Sequence, residues 1–200
     1  MSAAPAAKRV WTEAEYLAMD RASPDVKHQL VDGEVYAMSG GTYDHAAVIM
    51  KLHRYLDESL DGRSCVGMSN DLRIKAEGAE FYSYPDASVI CGPARFDDEH
   101  ADTVVNPTVV FEVLSPSTEA FDRGVKFARH ARILSLTQYV LVLTNVVGVE
   151  VFTRVPGPPE SWSLRRYGAG DSFALDLGAG GSIELGVDAL YANAQSVPRE

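Results

Sequence analysis

The segment TVVFEVLS, residues 108–115, constrains the fold most. Its alternating faces, Val109/Phe111/Val113 and Val110/Glu112/Leu114, are both apolar apart from Glu112. A strand apolar on both sides is central in a sheet covered on both sides. An ionised carboxylate at that position is disfavoured unless a cation or hydrogen bonds offset its desolvation. Glu112 therefore needs a partner, either an Arg or Lys of the same fold or a bound cation.

The flanking sequence supplies the rest of a mixed architecture. Thr12 and Glu15 match a capping box, which predicts a helix over residues 12–20. Asp32-Gly33 between two apolar stretches predicts a β-hairpin whose second strand opens at Glu34. Ile49, Leu52, Leu56 and Leu60 recur at helical spacing, predicting an amphipathic helix over 45–60 stopped by Gly62. Residues 64–76 read as one strand, and 87–91, after Pro85 and Asp86, as a short buried one. The acidic stretch Asp97, Asp98, Glu99, Asp102 reads as a solvated loop. After the 108–115 strand, Phe121, Val125, Ala128 and Arg132 space as a helix over 119–134. YVLVLT and VEVFTR read as paired strands and WSLRRY as another, and the Gly-rich tail holds one or two edge strands. One domain over residues 1–200 is expected, with 1–10 a flexible tail.

Composition narrows the classes. Eighteen Lys plus Arg against 28 Asp plus Glu give a net charge of −10, which argues against strong nonspecific binding to a phosphate backbone. Cys65 and Cys91 make neither a disulfide framework nor a zinc site, so a reducing cytoplasm is expected. No apolar run approaches the ~20 residues that span a bilayer, so no membrane partner is expected. Gly40-Gly41 and Gly180-Gly181 lack a phosphate-loop context, and neither Ser115 nor Ser117 lies in a nucleophile elbow. Tyr191 and Trp162 read as packing residues.

Two further residues bear on Glu112. Asp86 heads a strand, and if that strand neighbours the one with Glu112, two carboxylates meet in one cleft and suit a hard cation such as magnesium. Asp86 can equally be a turn residue after Pro85. Lys126 lies fourteen residues beyond Glu112, on the following helix, from which its long side chain can return to the carboxylates. It can equally pair with Asp122, four residues earlier.

Tyr84-Pro85-Asp86, the run FEVLSPST from Phe111, Asp122-Arg123-Gly124-Val125-Lys126 and the earlier LVDGE from Leu30 occur in an order that resembles the Uma-two family. That family consists of restriction-endonuclease-like proteins of the PD-(D/E)XK nuclease superfamily. The resemblance runs from the TEAEYL helix to Leu190-Tyr191. It implies an α/β fold with a central mixed sheet flanked by helices and extra β-hairpins. It also implies Asp86 and Glu112 as ligands of magnesium or manganese, with Lys126 in place of the superfamily's usual lysine two residues after the acid, where this chain has Leu114. Glu34 and His45 match further polar positions of the family pattern. Gln29 stands where members commonly have an acid, and His130 where they commonly have a tyrosine.

Two functions follow from that resemblance. One is a magnesium-dependent phosphodiesterase acting on DNA, with Arg73, Lys75, Arg123, Arg129, Arg165 and Arg166 as candidate DNA-facing cations and a homodimer serving two strands. The other is a catalytically silent nucleic-acid- or protein-binding regulatory module in which the acids form a structural ion-pair network.

Overall fold

Local signals set most of the elements. The computed structural model describes residues 9–38, 40–76, 78, 80–158 and 160–199, so residues 1–8 of the expected tail lie outside it. Thr12 caps α1 (Glu13–Arg21) through the expected reciprocal capping box. β1 (His28–Val31) and β2 (Glu34–Ala37) form the hairpin, turning at Asp32 and Gly33 with φ of 51° and 80°. α2 (Tyr43–Leu60) buries Val48, Leu52, Leu56 and Leu60 along one face.

Residues 64–76 form two strands rather than the expected one. β3 (Cys65–Ser69) and β4 (Arg73–Lys75) lie in different sheets. Between them the Ser69 hydroxyl accepts from the Asp71 N–H, and the Ser69 carbonyl from the Leu72 N–H, a turn that short polar side chains favour. The chain continues through β5 (Phe81–Ser83), β6 (Ala87–Cys91), β7 (Thr103–Val104) and β8 (Val109–Val113). β9 (Gln138–Val142), β10 (Gly148–Val155) and β11 (Ser161–Gly168) come next as an antiparallel meander. The tail forms a separate two-stranded sheet, β12 (Ser172–Asp176) with β13 (Ser182–Gly186), and ends in α5 (Val187–Leu190).

The central sheet has the order β11-β10-β9-β8-β6-β3, with β8 and β9 parallel and the other neighbours antiparallel. β8 is interior, as its two apolar faces require. Val109, Phe111 and Val113 pack on α2, β12, β13 and α5, while Val110 and Leu114 pack on the opposite side with Phe81, Ile133 and Tyr139. The second sheet, β2-β1-β5-β4-β7, contributes Val31, Ile74 and Phe81 to that opposite core. Glu112 shares the face of Val110 and Leu114. Cys65 and Cys91 face each other in the β3–β6 register and form one disulfide.

The acidic stretch is more than a solvated loop. Asp97 pairs with Lys75, Asp98 with Arg21, and Asp102 with both Arg21 and Arg73. Trp162 and Tyr191 pack as expected, with the single Tyr191 hydroxyl proton shared between the Leu143 and Gly148 carbonyls, both within hydrogen-bond reach. No helix among the described residues is long and apolar enough to cross a membrane.

Candidate active site

The register of β6 and β8 brings the two acids together. Ala87 pairs with Phe111, which sets Asp86 level with Glu112 on the neighbouring strand. The Val113 N–H donates to Asp86 Oδ2 at 2.7 Å and fixes that carboxylate at the end of β8.

The crossover from β8 to β9 supplies the lysine. It comprises α3 (Glu119–Phe121), a π turn (Asp122–Lys126) and α4 (Phe127–His130), shorter than the helix predicted to residue 134. Its inward stripe is Asp122, Lys126 and His130, all buried, whereas Val125, expected on the apolar face, is exposed. Charge displaces the apolar residue because Glu112 beneath this segment needs a counter-charge. Lys126 Nζ lies 2.8 Å from Glu112 Oε2 and 3.6 Å from Asp122 Oδ1. Both pairings open to Lys126 from the sequence are made at once. π turns of this kind recur at functional sites.

Three carboxylates against one ammonium leave the cluster with excess negative charge. Burial, reinforced by Asp122 and Asp86, pushes the Glu112 carboxyl well above its ordinary value, and burial also raises that of Asp86. Burial opposes the charge on Lys126, but Glu112 and Asp122 prevail and hold it cationic. Glu112 Oε1 is buried with no hydrogen-bond partner. An unpartnered carboxylate oxygen beside a second carboxylate, in a cluster short of positive charge, fits a hard divalent cation held by Asp86 and Glu112 with water in its remaining positions. No group of three or more His, Cys, Asp or Glu side chains among the described residues is arranged to hold a metal alone.

The site opens into a cavity of about 370 Å³ lined by Asp86, Glu112, Asp122, Lys126 and His45, among others. His45 Nε2 lies 3.8 Å from Asp86 Oδ2. Gly41 lets the chain pass this ring, since a Cβ there would lie 2.4 Å from His45 Nδ1. Glu34 is not among the lining residues, and its carboxylate accepts from the Tyr36 hydroxyl instead. Gln29 lines the cavity with a buried, unpartnered Oε1. His130 is fully buried, with Nε2 3.1 Å from Ser83 Oγ, and burial, aided by the Lys126 charge, keeps its ring neutral.

None of the candidate DNA-facing cations lines the cavity. Arg73 is buried, donating to the Tyr84 hydroxyl and pairing with Asp20, so it does not face DNA. Lys75 is held by Glu13 and Asp97, Arg123 by Glu119 and Glu150, and Arg129 by Asp32. Arg166 pairs with Glu150 but stays largely exposed, as does Arg165.

Asp122 was read from the sequence only as a partner for Lys126, and His53 was not singled out. His53, two turns after His45, places Nε2 2.7 Å from the Asp86 carbonyl oxygen and so donates to it. The eight-residue spacing of two histidines on one helix was the available signal. The Tyr139 hydroxyl donates to the Asp122 carbonyl at 2.9 Å and ties β9 to the π turn. Tyr139→Phe is expected to cost about 1 kcal/mol, read by urea denaturation. An unchanged midpoint would show that this tie adds nothing.

Comparison with known proteins gives the family and the fold of the chain. The family Uma2, described as "Putative restriction endonuclease", matches residues 13–188. The uncharacterized protein slr1290 of Synechocystis sp. is 34% identical over 177 residues, covering 88% of this chain and 89% of the relative. The uncharacterized protein sll1609 of the same organism is 30% identical over 150 residues, covering 75% and 84%. The crystal structure of an Anabaena variabilis protein, described as "a putative nuclease belonging to DUF820", superimposes with a TM-score of 0.70 at 15% identity, covering 90% of this chain and 97% of that one. That likeness carries the fold.

Proposed function

Because the chain belongs to the Uma2 family, we propose that it hydrolyses phosphodiester bonds in DNA, with magnesium or manganese held by Asp86 and Glu112. One observation carries the reading. Residues from three separate segments, Asp86, Glu112 and Lys126, converge at the wall of one cavity, with Glu112 Oε1 left unpartnered.

A divalent cation at these carboxylates supplies electrostatic stabilisation of charge developing on the phosphate oxygens. The chain's own groups do the rest. Lys126, held as an ammonium, acts as a donor that orients the attacking water and offsets charge on the phosphate, rather than as a base. Asp86 is fixed from two sides, by the Val113 N–H on its carboxylate and by His53 on its carbonyl. His45 faces that carboxylate from the helix start.

The test is incubation of supercoiled, linear and single-stranded DNA with magnesium or manganese, beside a chelator control and Asp86→Asn. Cutting by the wild type alone, abolished by chelator, is the expected result. No cutting on any substrate, with no metal-induced rise in melting temperature, would favour the silent binding module, in which Lys126, Glu112 and Asp122 form a closed structural network.

A further inference from the structure

The cavity has an aromatic side that phosphodiester chemistry does not use. Tyr36 on β2 lines it and is 47% exposed, and Phe121 lines it from α3 with its ring centroid 6.4 Å from that of Tyr36. The Glu34 carboxylate accepts from the Tyr36 hydroxyl and holds the ring in place. Just before Phe121 in the chain, Ser115 Oγ lies 3.0 Å from Ser117 Oγ and 2.9 Å from Thr118 Oγ1, a neutral group of hydroxyls that also lines the cavity.

The cavity lining carries little of the positive charge a duplex would need. Among the described lining residues Lys126 is the one Lys or Arg, and it is buried against Glu112. Duplex DNA presents a negative charge about every 1.7 Å of its axis and is held chiefly by neutralising phosphates. Single-strand binders add to their phosphate contacts rings on which bases stack, a contribution of about 1–3 kcal/mol per base that a paired base inside a duplex does not offer and that tolerates any base sequence.

We infer that the cavity takes one unpaired nucleotide of a nucleic-acid strand, its base stacked on Tyr36 beside Phe121. Its phosphate then lies toward Asp86, Glu112 and Lys126, with the Ser115, Ser117 and Thr118 hydroxyls supplying neutral hydrogen bonds. The substrate class is single-stranded, flapped or frayed nucleic acid rather than intact duplex. The inference rests on the nuclease reading for the direction of the phosphate, but not for the stacking itself.

The experiment is equilibrium binding of the full chain to an oligonucleotide carrying 2-aminopurine, single-stranded and annealed to its complement, with calcium in place of magnesium. Fluorescence reports stacking independently of cleavage. Quenching on the single strand, weaker binding to the duplex, and affinity reduced on the order of 10-fold in Tyr36→Ala but retained in Tyr36→Phe are expected. Circular dichroism melting checks that the variants fold. Duplex bound as tightly as single strand, Tyr36→Ala binding unchanged, or no binding to either would overturn the inference. If stacking and its Tyr36 dependence hold while magnesium and manganese give no cutting, the platform stands and the nuclease reading falls. Cutting of duplex by a chain insensitive to Tyr36→Ala gives the reverse.

Discussion

Lys126→Met is expected to lower stability by about 3–5 kcal/mol near pH 8 and to remove cleavage. Methionine keeps most of the length and apolar stem but withdraws the ammonium from Glu112 and Asp122, 2.8 and 3.6 Å away. All three side chains are buried, so water cannot replace the lost charge at low cost. The loss should shrink near pH 5, because uncompensated acids take up protons instead. Chemical denaturation at both pH values reads the difference. A stability equal to wild type at both would mean that the carboxylates are solvated and that the cluster is not the ion-paired core described.

Magnesium at about a hundredfold excess over its Kd is expected to stabilise the wild type by about 2.7 kcal/mol, or roughly 5–10 °C in melting temperature, and Asp86→Asn by much less. The pH dependence has a definite sign. The Asp86 and Glu112 carboxyls are raised from 3.8 and 4.5, so the folded chain keeps protons that the unfolded chain releases. Their stabilising contribution is fully present below those ordinary values and is lost as pH rises through the folded ones. Asp102 works in the opposite direction. Arg21 depresses its carboxyl, so its contribution is present above 3.8 and lost as pH falls. Subtracting the Asp86→Asn curve from that of the wild type isolates the Asp86 contribution. Since the cation displaces the same protons, metal stabilisation should grow as pH rises above the ordinary carboxylate range. A metal shift independent of pH, or equal in Asp86→Asn, would move the ion elsewhere.

The legible parts of this chain are those where one local rule acts alone. The capping box at Thr12, the Asp32-Gly33 turn and the doubly apolar β8 appear where the residues require them. Glu112 was legible because a carboxylate within an apolar strand demands explanation, and Asp86 only through Glu112 and the family resemblance, since alone it reads as a turn residue after Pro85. The failures share a cause. Helical spacing assumes that apolar residues turn inward, and the Asp122-Lys126-His130 stripe reverses this because the partner lies on another strand. The acidic stretch appears solvated until Arg21, Lys75 and Arg73 arrive from elsewhere in the chain. β5, three residues long, is too short to show a period.

The π turn makes the seating of the crossover depend on chain length. Arg123, Gly124 and Val125 separate Asp122 from Lys126, and Gly124 has open space around its Cα. A segment so exposed would ordinarily tolerate a missing residue. Here a single deletion leaves Asp122 three residues before Lys126, still on the same face, but it turns α3 with Phe121 by about 100° around the helix axis relative to Lys126 and His130, so the two halves cannot both keep their present seats. A substitution other than proline at Gly124 that keeps the count should be benign, whereas length variation at this surface position should be as damaging as loss of a buried side chain.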